Sequence, residues 1–424
     1  MEMMSSVPFI IRVILSLAAI LVINRITDRL HLAVACGTLS LGLMSGHGCG
    51  AMAAMAIDKA ISPNTVFLMF IIFQVIWLSR QMSDSGVMRD LVASVNSGVS
   101  RRASMAVLPA VIGLLPMPGG ALFSAPLVDE CDPAKEIDPV IKTEINYWFR
   151  HIWEYWWPLY PGVLLALDLT GLSVVSFMAF QLPLSLVSVA SGYLFILRRV
   201  EYSRNNSSSG YDALKGTLIH ITPVIIIIAS YALIKILLPA VSAVNKYLPM
   251  IIGIIFAQLF LQWKRPLPMH IWRDILLSGK TMKLAVVILF ILIYGAFISS
   301  PLPDGSLIMD HMKNELSSWG IPVFMVIMLI PFISGITTGI AVGFVGASFP
   351  IVVSLAGGHI SYFVLAYGCG YMGMILSPVH VCLVVTAGHF NTRVAIIVRN
   401  LLKPVAAVMA GTIAVHLIYR FFAL

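Results

Sequence analysis

Charged residues are scarce in this sequence, and their scarcity excludes most soluble folds. Only 11% of the 424 residues are charged, 59% are hydrophobic, and the mean hydropathy is +0.94. A soluble domain carries about 25% charged residues. Cysteine is also sparse. The five cysteines form no C-x-x-C pair, so we interpret them as small buried residues and predict no disulfide framework.

Catalytic sequence motifs are absent as well. The sequence contains no H-E-x-x-H, no G-x-S-x-G and no glycine-rich phosphate loop, and its connectors are too short for a catalytic domain. His47 and Cys49 have no further metal ligands at a usable spacing, so we predict no metal site. We expect a protein that is not an enzyme and holds no cofactor.

The sequence does contain a series of long apolar segments. About 20 apolar residues are needed to cross the roughly 30 Å of hydrocarbon in a bilayer. These segments predict an all-α polytopic membrane protein, with the lipid bilayer as its surroundings. The predicted spans are 7–24, 32–56, 62–79, 146–167, 172–197, 217–238, 248–263, 282–299, 360–388 and 404–422.

The net charge of +8 is distributed unevenly between alternate connectors. Nearly all basic residues fall on one side, whereas the other side holds only Lys59, Lys246 and Lys313. Lys and Arg accumulate in cytoplasmic loops, so this asymmetry places both termini outside. We attribute the charge to membrane orientation and expect no nucleic-acid partner.

A pattern of helix breaks occurs twice, about 220 positions apart. Gly119 corresponds to Gly339, and Pro158 corresponds to Pro378. Each copy predicts five transmembrane helices plus one re-entrant hairpin. An odd number of crossings turns the second copy upside down, so we predict two inverted repeats, an arrangement typical of secondary transporters.

Two apolar stretches are interrupted in a way that forbids one continuous helix. Residues 101–132 turn at 116–120, where two prolines and two glycines occur, and residues 320–356 turn at 334–339. Both stretches predict re-entrant hairpins, of which the first enters from the cytoplasm and the second from the outer side. Less apolar segments of mixed charge precede them and predict helices along the membrane surface, at 84–100 and 304–320.

The breaks have an electrostatic consequence. Backbone groups without partners are costly in hydrocarbon, so breaks persist where protein, water or a ligand satisfies them. A half-helix starts after each of Gly120, Pro161, Gly339 and Pro378, and each start carries about half a positive charge. Such ends favour an anion, and the carbonyls of the preceding half-helices can hold a small cation.

Three motifs resemble an uncharacterised family of prokaryotic integral membrane proteins. They are the run from Asn146 to Pro161, the hairpin tip Met117-Pro118-Gly119-Gly120 and the run from Ser377 to Leu383. That family is related to gluconate permeases, divalent-anion symporters, citrate transporters and the large membrane subunit of TRAP transporters, within the ion-transporter superfamily. The resemblance covers essentially the whole chain and implies a location in the inner (plasma) membrane.

The resemblance also implies an elevator-type transporter, in which a homodimeric scaffold supports a mobile transport domain. The scaffold then comprises 1–100 and 217–319, and 199–216 is a cytoplasmic linker. The transport domain comprises 101–198, with hairpin 101–132 and broken helix 146–167, and 320–424, with hairpin 320–356 and broken helix 360–388.

Three ionisable residues near one break are candidates for function, because a charge inside the membrane is costly. Arg150 and Glu154 are four positions apart, and we expect them to share a helix face. Arg150 either binds substrate or is neutralised by Glu154. His151 is a proton carrier, a hydrogen-bond donor to substrate or a helix contact, and His380, after the second break, is open to the same roles.

Other candidates lie on the hairpin tips and beside the prolines. Ser334, Thr337 and Thr338 either hold a coupling cation or substrate, or cap the following half-helix. The predicted coupling-ion residues are His151, Glu154, Ser334, Thr337 and Thr338. The predicted substrate site comprises Pro118, Gly119, Gly120, Ser124, Arg150, Tyr160, Gly335, Thr337, Thr338, Gly339, Ser377 and His380.

These observations predict a secondary active symporter of a small organic anion, a carboxylate or sugar acid, coupled to H⁺ or Na⁺. A cation/proton antiporter or an ion channel is the alternative, because broken helices also serve those proteins. A channel does not need two inverted hairpins around one site. An antiporter is expected to hold an aspartate at mid-membrane, whereas this chain offers only Glu154 there.

Overall fold

We analysed a computed structural model of the chain, which describes residues 7–27, 29–96, 100–114, 120–200, 216, 218–277 and 279–423. Within these ranges the regular elements are helices, and the prediction of an all-α protein is confirmed. Pro118 and Gly119, both predicted site residues, and most of the predicted linker lie outside the described residues.

The first half of the chain contributes ten α-helices among the described residues. They are α1 (Phe9–Thr27), α2 (Leu30–Met44), α3 (Cys49–Ile61), α4 (Pro63–Asp84), α5 (Val87–Asn96), α6 (Arg101–Gly113), α7 (Gly120–Glu130), α8 (Pro139–Arg150), α9 (Pro161–Thr170) and α10 (Val174–Phe195).

The second half contributes eleven α-helices in the same part of the structure. They are α11 (Thr222–Leu237), α12 (Pro239–Val244), α13 (Leu248–Lys264), α14 (Met269–Leu276), α15 (Gly279–Ser299), α16 (Ile308–Ser318), α17 (Val323–Thr338), α18 (Ala341–Ala356), α19 (Ile360–Ile375), α20 (Val381–His389) and α21 (Val394–Phe421).

Five segments are long and apolar enough to cross a membrane: α1, α4, α10 with the short 3₁₀ turn after it, α15 and α21. The helices of the predicted hairpins and broken spans are shorter, as the prolines and glycines in these segments require. The chain bends by 113° between α16 and α17. The predicted surface helix is therefore not collinear with the first helix of the hairpin that follows it.

The second predicted span, 32–56, is two helices rather than one. Helix α2 ends at Met44, and α3 begins at Cys49. Gly46 lies between them with φ of +80°, a left-handed conformation that glycine adopts without a steric penalty. The glycines in this segment therefore end a helix, whereas the sequence predicted one span over 32–56.

The first broken helix ends earlier than the sequence predicted. Helix α8 stops at Arg150, and residues 151–156 form consecutive tight turns, in which the N–H of Glu154 donates to the carbonyl of His151. The expectation that Arg150 and Glu154 share a helix face was therefore wrong, because the helix has already ended between them. Pro158 lies in the turns, and the next helix starts at Pro161.

Close helix packing holds the second hairpin against the second broken span. Gly335 on α17 and Gly373 on α19 lie in this contact, and a Cβ added to Gly373 would overlap the carbonyl oxygen of Phe332. The hydrophobic effect does not drive helices together inside a bilayer, because lipid tails are as apolar as the side chains. Small residues let the helices approach closely, and van der Waals packing then stabilises the contact. Polar pairs also join helices: Gln74 on α4 donates to Gln258 on α13 at 3.3 Å.

The interpretation of all five cysteines as buried residues was correct only in part. Cys131 and Cys369 are buried, and Cys382 is half-buried. Cys36 and Cys49 are exposed on the surface of the protein, where an apolar side chain can face lipid as readily as core. All five are free thiols.

Candidate functional site

Two of the breaks meet at a buried pair of histidines. His151 follows the last residue of α8, and His380 precedes the first residue of α20. Their Nε2 atoms are 3.2 Å apart, and both side chains are buried. The predicted site residues on either side of the two breaks, which are about 230 positions apart in sequence, thus come into direct contact.

Backbone carbonyls fix the orientation of both rings. His151 Nδ1 lies 2.5 Å from the carbonyl oxygen of Tyr147, and His380 Nδ1 lies 2.6 Å from the carbonyl oxygen of Gly339. A carbonyl oxygen can only accept a hydrogen bond, so each Nδ1 carries the proton. The second carbonyl belongs to the tip of the hairpin formed by α17 and α18, which ties this tip to His380.

Charged and thiol groups surround the histidine pair. A terminal nitrogen of the buried Arg150 guanidinium lies 3.3 Å from Cys382 Sγ, and an oxygen of Glu154 lies 3.7 Å from His151 Nε2. His151, His380 and Cys382 bring one ligand-type atom each to within 4.8 Å of one another. Glu154 therefore neighbours His151, a contact that the sequence did not predict.

Tyrosines from the second half of the chain support the turns after α8. Tyr371 donates its hydroxyl to the carbonyl of His151 at 2.7 Å, and Tyr367 donates to the carbonyl of Glu154 at 2.8 Å. These carbonyls have lost their helical partners, so α19 supplies the hydrogen bonds that an interrupted helix needs in an apolar environment. The tyrosines thereby position His151 and Glu154.

The start of α7 and the second hairpin tip also reach this centre. Gly120, the first residue of α7, lies against the guanidinium of Arg150, and an added Cβ there would overlap it. On the other side, Ser377 donates its hydroxyl to the carbonyl of Ile336 at 2.6 Å. The start of α7, which carries partial positive charge, and Arg150 thus lie together.

A cavity of about 890 Å³ lies beside the centre, at the second hairpin tip. Thr337, Thr338 and Ile340 from that tip line it, together with Val379 and Val381 on either side of His380. Four basic or titratable side chains face the same space, and they come from helices α1, α2 and α15 and their connectors: Arg25, Arg29, His31 and Lys283. A second cavity, of about 530 Å³, is lined almost entirely by apolar side chains such as Leu182 and Ile227.

The predicted site residues have different surroundings. Gly120, Arg150, His151, Glu154, Gly339 and His380 come together. The Thr337 and Thr338 hydroxyls donate within α17, to the carbonyls of Ile333 and Ser334. Ser124 and Ser334 are buried, and their hydroxyls have no hydrogen-bond partner among the residues that the structure describes.

Three further predicted residues make contacts of a structural kind. Tyr160 donates its hydroxyl to the carbonyl of Gly113, which joins the first broken span to the first hairpin. Gly335 lies in the contact between α17 and α19. Ser377, as described above, caps a carbonyl near the second tip.

Sequence reasoning missed several members of this region. Cys382 was interpreted as a packing residue, although its position two residues after His380 is a usable ligand spacing. Tyr371 carries no sequence signal that distinguishes it from other apolar tyrosines. Arg25, Arg29 and Lys283 were attributed to membrane orientation alone, because nothing in the sequence shows that their connectors border one cavity.

A polar cluster at the start of α8 holds the connector between α7 and α8. Asp132 accepts hydrogen bonds from the backbone N–H groups of Glu136 and Ile137, and its carboxylate lies 3.0 Å from Lys142 Nζ. Burial by itself raises the pKa of Asp132, but the hydrogen bonds from Ile137, Lys142 and Glu136 outweigh it, and the pKa is lowered overall.

The helices and the buried polar centre define a class: this chain is a helical protein with several apolar helices of membrane-spanning length, the pattern of a polytopic membrane protein. Residues 10–419 match the family described as a protein of unknown function, DUF401, and the chain belongs to that family. No curated protein matches the chain. The predicted resemblance to an uncharacterised membrane family is thereby confirmed, and its link to the ion-transporter superfamily stays a prediction.

Proposed function

We propose that this protein is a secondary active symporter that carries a small organic anion, a carboxylate or sugar acid, coupled to H⁺ or Na⁺. The observation that carries the proposal is the buried centre at which Arg150, the start of α7 and the second hairpin tip meet, next to a cavity lined by cationic side chains. Buried polar groups at interrupted membrane helices are the usual substrate sites of secondary transporters.

An anion fits this centre better than a cation or a neutral molecule. The guanidinium of Arg150 presents paired N–H donors that match the two oxygens of a carboxylate. The cavity is lined by three cationic side chains, those of Arg25, Arg29 and Lys283. Charges of one sign in a concave, partly apolar site focus the electrostatic field, so they raise the local concentration of anions. The volume of about 890 Å³ is within the range of small-molecule sites.

The order of helices supports two repeats. Helix α9 starts at Pro161 and α20 at Val381, and α10 starts at Val174 and α21 at Val394, so both pairs are separated by the predicted spacing of about 220 positions. The helices assigned to the predicted surface helices, hairpins and broken spans also follow one another in the same order in both halves, which supports the proposed repeat.

The packing between the halves supports a two-fold relationship. Helix α4 packs on α13, and their counterparts α15 and α2 pack on each other. In the same way α7 packs on α20, and the counterparts α18 and α9 pack on each other. When two copies are related by a two-fold axis, every contact between them occurs twice, the second time between the two counterpart helices. Inverted repeats show this pattern.

An elevator mechanism and a homodimeric scaffold complete the proposal. The hairpins and broken spans would move together, because Tyr367, Tyr371 and Gly339 bind the first broken span and His380 to the second hairpin and α19. In the orientation that the positive charges predict, Arg25, Arg29 and Lys283 are cytoplasmic, and the cavity opens inward.

The proposal is tested by a thermal-shift screen of purified protein against carboxylates and sugar acids, with and without Na⁺ and across pH. A ligand that binds only the folded state raises the melting temperature. The active compound is then tested for uptake into vesicles. Arg29→Gln and Lys283→Gln should reduce both the thermal shift and the uptake. Lys403→Gln is the control, because Lys403 is an exposed residue of α21 outside the cavity, and this change should reduce neither. Uptake that is unchanged in both cavity variants would contradict the anion proposal.

A further inference from the structure

The two central histidines face each other through their Nε2 atoms, which carry no proton when both rings are neutral. Each Nδ1 donates to a backbone carbonyl, at 2.5 Å for His151 and 2.6 Å for His380, so each neutral ring has its lone pair on Nε2. These two lone pairs point towards each other across 3.2 Å. Such an arrangement is repulsive unless a positive species lies between the nitrogens.

The ring orientation is the one that metal-binding histidines adopt. A ligating histidine donates its second N–H to a carboxylate or a backbone carbonyl, which fixes the tautomer and aims the lone pair at the metal. Both rings do this, on carbonyls from two different segments. In a tetrahedral zinc site, nitrogens at 2.0–2.1 Å from the metal are about 3.3 Å apart, which is close to the observed 3.2 Å.

One further ligand-type atom lies at the same point, and a carboxylate lies beside it. Cys382 Sγ lies within 4.8 Å of both ligand nitrogens, and the nearer oxygen of Glu154 is 3.7 Å from His151 Nε2. A thiolate and a carboxylate balance the two charges of a divalent ion. Arg150 donates a hydrogen bond to the sulfur at 3.3 Å, and a nearby cation favours the thiolate form that binds metals.

We propose that His151, His380 and Cys382 hold one divalent transition-metal ion of the zinc type, with the neighbouring Glu154 as the fourth ligand. A thiolate and two imidazoles select such an ion over Mg²⁺ or Ca²⁺, which prefer oxygen ligands. The ion joins the turns after α8 to the start of α20 and so clamps the two broken spans together. This proposal departs from the sequence-based expectation of no metal, and it does not depend on the proposed transport activity.

The test uses the purified full-length chain, stripped with a chelator and titrated with Co²⁺ as a spectroscopic probe. We expect saturation at one ion per chain, with the visible bands of tetrahedral cobalt and a near-ultraviolet thiolate-to-cobalt charge-transfer band. Zn²⁺ should displace the cobalt and raise the melting temperature. Cys382→Ser should abolish the charge-transfer band, and His380→Gln should weaken binding by at least about tenfold.

Matched controls separate this site from other cysteines and histidines. Cys369→Ser and His416→Gln change buried residues in α19 and α21 and should leave the spectrum unchanged. The double variant Cys36→Ser/Cys49→Ser, at the exposed thiols, should also retain the charge-transfer band.

A second measurement covers the case in which the ligand variants do not fold. In the wild-type protein, Zn²⁺ should slow alkylation of Cys382, measured by mass spectrometry, without slowing that of Cys36. The proposal is overturned if folded wild-type protein shows no saturable Co²⁺ binding, which would mean that the rings share a proton instead. It is also overturned if the charge-transfer band persists in Cys382→Ser, or if Zn²⁺ leaves Cys382 alkylation unchanged.

Discussion

Gly120 leaves room for the guanidinium of Arg150, because an added Cβ at residue 120 would occupy the space of that group. We therefore expect Gly120→Ala to displace Arg150 and to abolish both uptake and the thermal shift caused by the anion. The comparison is Gly388→Ala on α20, where an added Cβ meets no atom within 4 Å. That change should leave uptake intact and stabilise the helix slightly, by about 0.5–1 kcal/mol.

Uptake by vesicles and the melting temperature of the purified variants provide the measurement. Equal uptake by Gly120→Ala and Gly388→Ala would show that the position of Arg150 beside α7 is irrelevant to function.

Arg150 itself is expected to bind the substrate rather than to neutralise Glu154. The guanidinium of Arg150 lies against the start of α7, and Glu154 lies 3.7 Å from His151, so each charge has a polar neighbour other than its possible pair partner. Arg150→Ala and the double variant Arg150→Ala/Glu154→Gln should both fold and both lose anion binding. A purely structural pair predicts a different result: Glu154→Gln alone would destabilise by about 3–5 kcal/mol, and the double variant would recover.

This set is measured by chemical or thermal unfolding in detergent, together with ligand-induced shifts. Normal transport in a well-folded Arg150→Ala protein would eliminate the binding role of Arg150.

Asp132 should contribute stability in a pH-dependent manner. Its folded-state pKa is lowered, so its contribution is fully present above the unfolded pKa of about 4 and is lost as the pH falls through the folded value. Asp132→Asn should lower the melting temperature at pH 7 by more than about 2 °C, and the difference should shrink in acid.

Asp129→Asn is the matched control for Asp132. Asp129 also contacts Lys142, at 2.8 Å, but its side chain is 41% exposed, so we expect a smaller loss of stability. A difference between wild type and Asp132→Asn that is constant across pH would argue against this origin of the stabilisation.

The orientation of the chain is testable by cysteine labelling. The charge distribution predicts that residue 207 is cytoplasmic and residue 306 external. In a Cys36→Ser/Cys49→Ser background, which removes the exposed thiols, Ser207→Cys should react only from the cytoplasmic side and Ser306→Cys only from the other. Labelling of both from one side would refute the inverted arrangement of the halves.

The sequence by itself determined the elements of this protein. Prolines, glycines and apolar runs determine the conformation of the backbone in their own neighbourhood. They therefore indicated the helix starts at Gly120 and Pro161 and the second break before Val381. Its errors were also local. Helix α8 ends at Arg150 rather than at Pro158, because tyrosines from α19 satisfy the freed carbonyls, and no local signal reports that support.

Only the tertiary structure decided which candidates work together. His151 and His380 are distant in sequence, and their contact depends on the packing of both broken spans against one hairpin tip. The same holds for Cys382, whose chemistry comes from its neighbours, and for Lys283, which joins Arg25 and Arg29 at one cavity. Sequence patterns specify where a chain breaks, whereas the proximity of the broken ends results from long-range packing.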